Sequence, residues 1–275
     1  MLLHLSAGAI GVKVPPRDIL DLAVRNGFDV IDADAAGIDT LTSDDLKARN
    51  IRWAMAGLPV EFRKDEAKFR EGMPGLPEFA RKVRAAGVER VTTWLMPTSA
   101  DLTYRDNFRT HTARLRECAT ILHDNGLRFG MEYVGPKTLW ASQKYPFIHT
   151  MREMRELIAE MNVPDVGIVL DSWHWFHARD TVADIRALKS RDIVSVDLND
   201  APAGVPIDEM VDGKRELPAA TGVIDIKAFL GALEAIGYDG PVRAEPFNEA
   251  VRKMAPEQAV SATAASLKKA FSASA

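Results

Sequence analysis

The chain has 275 residues, 47% hydrophobic and 27% charged, with a formal net charge of −4 and a single cysteine. That length can bury a sizeable core, and the composition is ordinary for a soluble globular enzyme. The acidic balance argues against nucleic acid as a partner, and one cysteine excludes an internal disulfide framework.

Residues 2–6 read as a first strand, and they precede no basic region or long apolar core of a secretory leader. A helical stripe of Ile19, Leu20, Ala23 and Val24 spans residues 17–26 and stops at Gly27. A second strand is expected over 28–31, a short helix over 44–49 and a third strand over 51–56. Residues 58–77, rich in proline and charge, read as a long loop with one helical turn. Residues 78–86 are helical up to Gly87, and 90–95 form the fourth strand. A longer helix over 106–125 carries Cys118 among Leu115, Ala119 and Leu122, where a buried thiol packs as a small hydrophobe.

The fifth strand ends RFGME at Glu132 and the sixth reads GIVL before Asp171. The seventh, DIVSVD, ends at Asp197 and the eighth, PVRAE, at Glu245. Helices over 150–161, 181–188, 225–236 and 256–271 separate or follow these strands, and residues 199–222 form a long loop. Residues 272–275 read as a frayed end. No apolar run approaches the ~20 residues of a membrane span. A cytoplasmic location and no membrane partner are therefore expected.

Eight strands alternating with eight helices, with no linker between them, predict an α/β chain of parallel βαβ units. The fit is a single (β/α)₈ TIM barrel over residues 1–275, with a closed parallel sheet of eight strands. Active sites of such barrels lie at the C-terminal strand ends. Taken singly, a strand-end acid is more often a helix cap or loop organiser, and Asp32 and Asp34 read that way. Four acids on consecutive strands are different. Carboxylates that cannot spread apart must protonate or share a cation, and a divalent metal with oxygen ligands satisfies all four.

The segments MEYVGP (131–136), VLDSWHW (169–175) and AEPFN (244–248) resemble the xylose-isomerase-like TIM-barrel superfamily, the sugar phosphate isomerase/epimerase group. The inosose isomerases and ketose 3-epimerases are closest in pattern, and the resemblance spans essentially the whole chain. It implies a divalent metal on Glu132, Asp171 and Glu245. It also implies Glu132 and Glu245 as the proton-transferring pair, and His174 and Arg215 as substrate contacts. Relatives usually place a histidine ligand on strand seven; this chain has Asp197. If Asp197 ligates, an all-oxygen shell favours Mn²⁺ or Mg²⁺ over Zn²⁺ or Co²⁺.

The implied chemistry is isomerisation or epimerisation of a sugar, keto-sugar or cyclitol through a metal-stabilised enediolate. Two alternatives stand beside it: a lyase or dehydratase acting on a related keto-polyol, and a metal-free sugar-binding barrel. Trp94, Trp173 and Trp175 are candidates for an apolar wall, Trp94 for substrate contact, although core packing explains aromatics as readily. His4, His149 and His177 read as structural. Lys137 and Arg215 are candidates to hold an anionic group, but no glycine-rich phosphate cradle is present. The oligomeric state is left open, a homo-oligomer included.

Overall fold

The computed structural model describes residues 1–274. Its strands, in chain order, are β1 (Leu2–Leu5), β2 (Val30–Ile31), β3 (Arg52–Trp53), β4 (Ala56–Gly57), β5 (Arg90–Trp94), β6 (Thr98–Ser99), β7 (Arg128–Glu132), β8 (Tyr145–Pro146), β9 (Val166–Asp171), β10 (Ile193–Leu198) and β11 (Pro241–Ala244). Nine of them form one parallel sheet in the order β3-β2-β1-β11-β10-β9-β7-β5-β4. β6 and β8 pair antiparallel as a separate flap.

The expected ring of eight unbroken strands needs correction. The third strand, expected over 51–56, is split: β3 pairs with β2, β4 pairs with β5, and Ala54–Met55 between them belongs to neither ladder. The sheet is therefore a TIM-barrel sheet whose ladder breaks there, with the chain itself running across the break.

The helices lie outside the sheet and bury one face each. Met151, Met154, Leu157 and Met161 form the buried stripe of Met151–Met161, which a capping box of Thr150 and Glu153 starts. The Tyr104–Asp124 helix buries Leu115, Cys118, Ala119 and Leu122, so Cys118 takes the packing role expected of it. Burial pushes its thiol up to about 12.

Several short elements escaped the sequence pattern. Residues 58–77 contain a helix, Glu66–Gly72, begun by the Asp65 side chain, and a 3₁₀ turn at Met73–Gly75. Helices Ala35–Thr40, Lys137–Trp140, Ser172–His177 and Glu249–Arg252 are each too short to show a periodic stripe. Asp34 caps the first of them, as expected. The last helix runs Pro256–Ser274, through most of the segment expected to fray; Ala275 lies outside the described residues. Among the described residues no helix is long and apolar enough to cross a membrane.

Register places chemistry on one level of the barrel. Asp171 on β9 is aligned with Asp197 on β10, Asp197 with Arg243 on β11, and Arg243 with His4 on β1. Neighbours in register point to the same face of a sheet, so this rung carries two acids, a guanidinium and an imidazole. Four residues nearer the strand start than Asp171, Gly167 on β9 is the partner of Gly130 on β7. A Cβ on Gly167 would lie 2.6 Å from the Asp192 carbonyl oxygen, so only glycine lets β9 approach β10 there.

His111 sits away from this rung. Its Nδ1 donates to the Asn107 carbonyl oxygen at 3.0 Å, and its ring packs against Phe62 and Phe147. Burial pulls its pKa down to about 4, whereas an unfolded chain protonates histidine near pH 6.5, to within about a unit. The unfolded state thus binds the proton first. Its contribution to stability is present above about pH 6.5 and is lost as pH falls toward 4. Urea unfolding of the parent and of His111→Phe across this range should show a shallower acid-side loss in the variant. Equal slopes would mean that His111 titrates normally.

Candidate functional site

Four strands deliver four acids to the C-terminal mouth. Glu132 ends β7, Asp171 ends β9, Asp197 is the penultimate residue of β10, and Glu245 follows β11. Each offers a carboxylate oxygen within 4.8 Å of the others. Asp171 and Asp197 are fully buried. His174, one turn into the Ser172–His177 helix that Asp171 caps, joins Glu132 and Asp171 in a second cluster of the same kind.

The acids are unequally satisfied. Both oxygens of Asp197 accept from Arg243, Nε and Nη2 each at 2.7 Å. Arg243 Nη2 also reaches Glu245 Oε1 at 3.1 Å. Asp171 accepts from the Trp173 amide at 2.7 Å, from Asn199 Nδ2 at 3.0 and 3.2 Å, and from Arg215 Nη1 at 2.8 Å. Arg215 Nη1 stands 3.3 Å from Glu245 Oε2, and its Nη2 donates to Asp212 at 2.9 Å. Glu132 Oε1, by contrast, is buried with no hydrogen-bond partner.

Counting Asp212, five carboxylates share the site with the two guanidinium groups of Arg215 and Arg243, which pair with four of them, all but Glu132. The excess shows in the acidities. Burial, then the charges of Glu245, Asp197 and Asp171, hold the Glu132 carboxyl well above its ordinary range against the pull of Arg215. Burial pushes Asp171 up to about 7, with Arg215 opposing. Burial also raises Glu245, against Arg243. Burial keeps His174 neutral. The Gly135 amide donates to its Nδ1, and its Nε2 stands 3.4 Å from Arg215 Nη2 and 3.8 Å from Glu132 Oε1 and from Asp171 Oδ2. A buried carboxyl oxygen without a donor, among acids in excess over their cationic partners, fits a divalent cation with oxygen ligands.

A cavity of about 380 Å³ opens above the acids, lined by Glu132, His174, Arg215 and Glu245 and walled by Trp94, Met96, Val134, Leu139 and Phe247. Trp94 stands at the rim, 42% exposed, with the Arg63 guanidinium 4.4 Å from its ring centre. Arg215 stacks 4.5 Å over Phe247, whose φ of 42° is unusual for a bulky side chain.

Glu132, Asp171, Asp197, Glu245, His174, Arg215 and Trp94 are brought together here. The others go elsewhere. Lys137 is exposed and paired with Asp208. His4 bonds Asp32, His177 bonds the Trp173 carbonyl, and His149 the Phe147 carbonyl. Trp173 and Trp175 are buried, their indole N–H groups held by Asp212 and the Thr181 carbonyl.

Four contributors were missed. Arg243 on β11 lies two residues before Glu245, an extended-chain spacing that puts both on one face, a signal present in the sequence. Asn199 bonds Asp171 and receives the Glu245 amide at 2.9 Å, tying β9 to β11. Asp212 anchors Arg215 and Trp173. Asp200 accepts four backbone N–H groups, from Ala201, Thr221, Gly222 and Ile224 at 2.8–3.0 Å, and so closes the loop that carries Arg215.

Residues 20–270 match the family model described as xylose isomerase-like TIM barrel. An inosose isomerase of Bacillus subtilis (strain 168) is 26% identical over 199 residues, covering 72% of this chain and 68% of its own length. A xylose isomerase domain protein from Alicyclobacillus acidocaldarius shares the structure at a TM-score of 0.85 and 28% identity, over 99% of this chain and 98% of its own. The IOLI protein, solved with a zinc atom, aligns at a TM-score of 0.83 over 99% and 98% of the two chains; at 21% identity it speaks for the fold alone.

Asp200→Asn replaces an oxygen that accepts buried amides with an NH₂ group that cannot. Hydrogen bonds to a charged acceptor are worth about 1.5–3 kcal/mol each, so a loss of roughly 2–4 kcal/mol in chemical unfolding is expected. Faster hydrogen exchange over residues 212–222 should accompany it. Parent-like stability and exchange would show that the loop does not depend on Asp200.

Proposed function

The chain belongs to the xylose isomerase-like TIM-barrel family, and from that premise we propose that it isomerises or epimerises a sugar, keto-sugar or cyclitol with a divalent ion at the barrel mouth. The observation that carries the reading is Glu132 Oε1, a buried carboxyl oxygen with no hydrogen-bond partner among converging acids. Glu132, Asp171 and Glu245 would hold the ion. When bound, such an ion polarises a carbonyl and its neighbouring hydroxyl and so favours loss of the proton on the carbon between them. The oxygen-only donor set favours Mn²⁺ or Mg²⁺ and also admits Zn²⁺ or Co²⁺.

The protein's own groups supply the rest. Glu132 and Glu245 approach the same space from β7 and β11, and a carboxylate from each suits taking a proton from carbon and returning it. His174, kept neutral by burial, turns its Nε2 toward the acids and donates from it to a substrate oxygen. Arg215 faces the same cavity with a charge that never titrates in working conditions, and orients an oxygen of the substrate. Trp94 and Phe247 give the ring of a sugar or cyclitol an apolar surface.

Metal-loaded protein incubated in D₂O with a panel of keto-sugars and cyclitols tests the reading. Deuterium should enter one substrate at carbon beside the carbonyl, without loss of water. Glu132→Gln and Glu245→Gln should each lower that exchange by roughly 10²–10⁴-fold, the range of a lost general acid–base group. Loss of water would assign a lyase instead, and binding with no exchange across the panel would assign a binding barrel.

A further inference from the structure

We infer that Asp197 is the fixed counter-ion of Arg243 and contributes no ligand, leaving Glu132, Asp171 and Glu245 as the only protein ligands of the ion. The inference rests on the metal-dependent reading above and narrows it. Asp197 and Arg243 are register partners on adjacent strands and point to the same face. Their contact is a fork, two parallel N–H donors on two carboxylate oxygens at 2.7 Å each, and Asp197 is fully buried. Such bidentate pairing is the strongest geometry that a guanidinium and a carboxylate can adopt. Backbone hydrogen bonds of β10 and β11 hold both residues in place.

The other acids differ in kind. Glu132 meets no arginine. Asp171 and Glu245 meet Arg215 through one nitrogen, at 2.8 and 3.3 Å, and Arg215 belongs to the long loop after β10; Glu245 also takes a single contact of 3.1 Å from Arg243 Nη2, on its other oxygen. A single-point contact from a loop residue can give way to an ion while Arg215 turns to the substrate. The Arg243 fork cannot give way without leaving a buried guanidinium unpaired, which costs more than one ligand returns. Three protein ligands leave several coordination positions free, enough for two adjacent substrate oxygens together with water.

The test is a Mn²⁺ titration of the full chain, by calorimetry and electron paramagnetic resonance, comparing the parent with Asp171→Asn and the double variant Asp197→Asn/Arg243→Gln. The double change removes the pair together and leaves the net charge of the site unchanged; Glu245 loses its Arg243 contact and keeps the one to Arg215. The double variant should bind Mn²⁺ within about threefold of the parent, whereas Asp171→Asn, losing a ligand, should weaken binding by more than roughly tenfold. Equal weakening in both overturns the inference. A parent that binds no Mn²⁺ overturns the metal reading itself, a distinct outcome. If the double variant does not fold, the Mn²⁺-bound crystal structure of the parent decides. Asp197 oxygens should lie outside coordination distance, about 2.0–2.6 Å for hard divalent ions, and an oxygen within it overturns the assignment.

Discussion

Buried negative charge at one end of the sheet is the constraint to which the rest of this structure answers. Two unit charges about 4 Å apart repel by about 4 kcal/mol at an effective dielectric constant of about 20. A whole domain is stable by only about 5–15 kcal/mol. Acids whose oxygens gather within 4.8 Å of one another therefore cannot all stay ionised and uncompensated. Each neighbour of the cluster is a partial answer: Arg243 against Asp197, Arg215 against Asp171 and Glu245, and raised proton affinity on Glu132. The compensation is incomplete at Glu132, and that is where the chemistry follows.

The scaffold holds this arrangement by register rather than by loop chance. Asp171, Asp197, Arg243 and His4 occupy one rung because four parallel strands share alignment. Asn199 and Asp200, adjacent in sequence, then do two separate jobs. The first braces Asp171 against Glu245, and the second folds the following loop back so that Arg215 enters the mouth. Gly135 supplies an amide to His174, and a Cβ there would lie 2.5 Å from the His174 carbonyl oxygen. The mouth is thus assembled from rigid strand ends plus one anchored loop, as precise positioning of reacting groups requires.

Much of this was legible in the sequence. Strand-end acids at 132, 171, 197 and 245 could be read directly because short apolar runs that stop on a carboxylate are visible in one dimension. His174 and Arg215 came through resemblance, and both line the cavity. The split between β3 and β4 was hidden because the apolar pattern of residues 51–56 continues across Ala54 and Met55 while the ladder does not. The role of Asp200 was hidden because four backbone amides from residues 201–224 meet it only after the loop folds. The fork on Asp197 was accessible in principle: Arg243 shares a strand face with Glu245, and only the register of β10 against β11 was lacking.

The central claim is that a divalent ion completes the charge of the mouth. Elemental analysis of the purified parent after reloading and dialysis, set beside Glu132→Gln, tests it most directly. The account predicts about one equivalent of a divalent metal per parent chain and clear depletion in the variant. A parent that retains no metal, yet still exchanges substrate hydrogen with solvent, would contradict it.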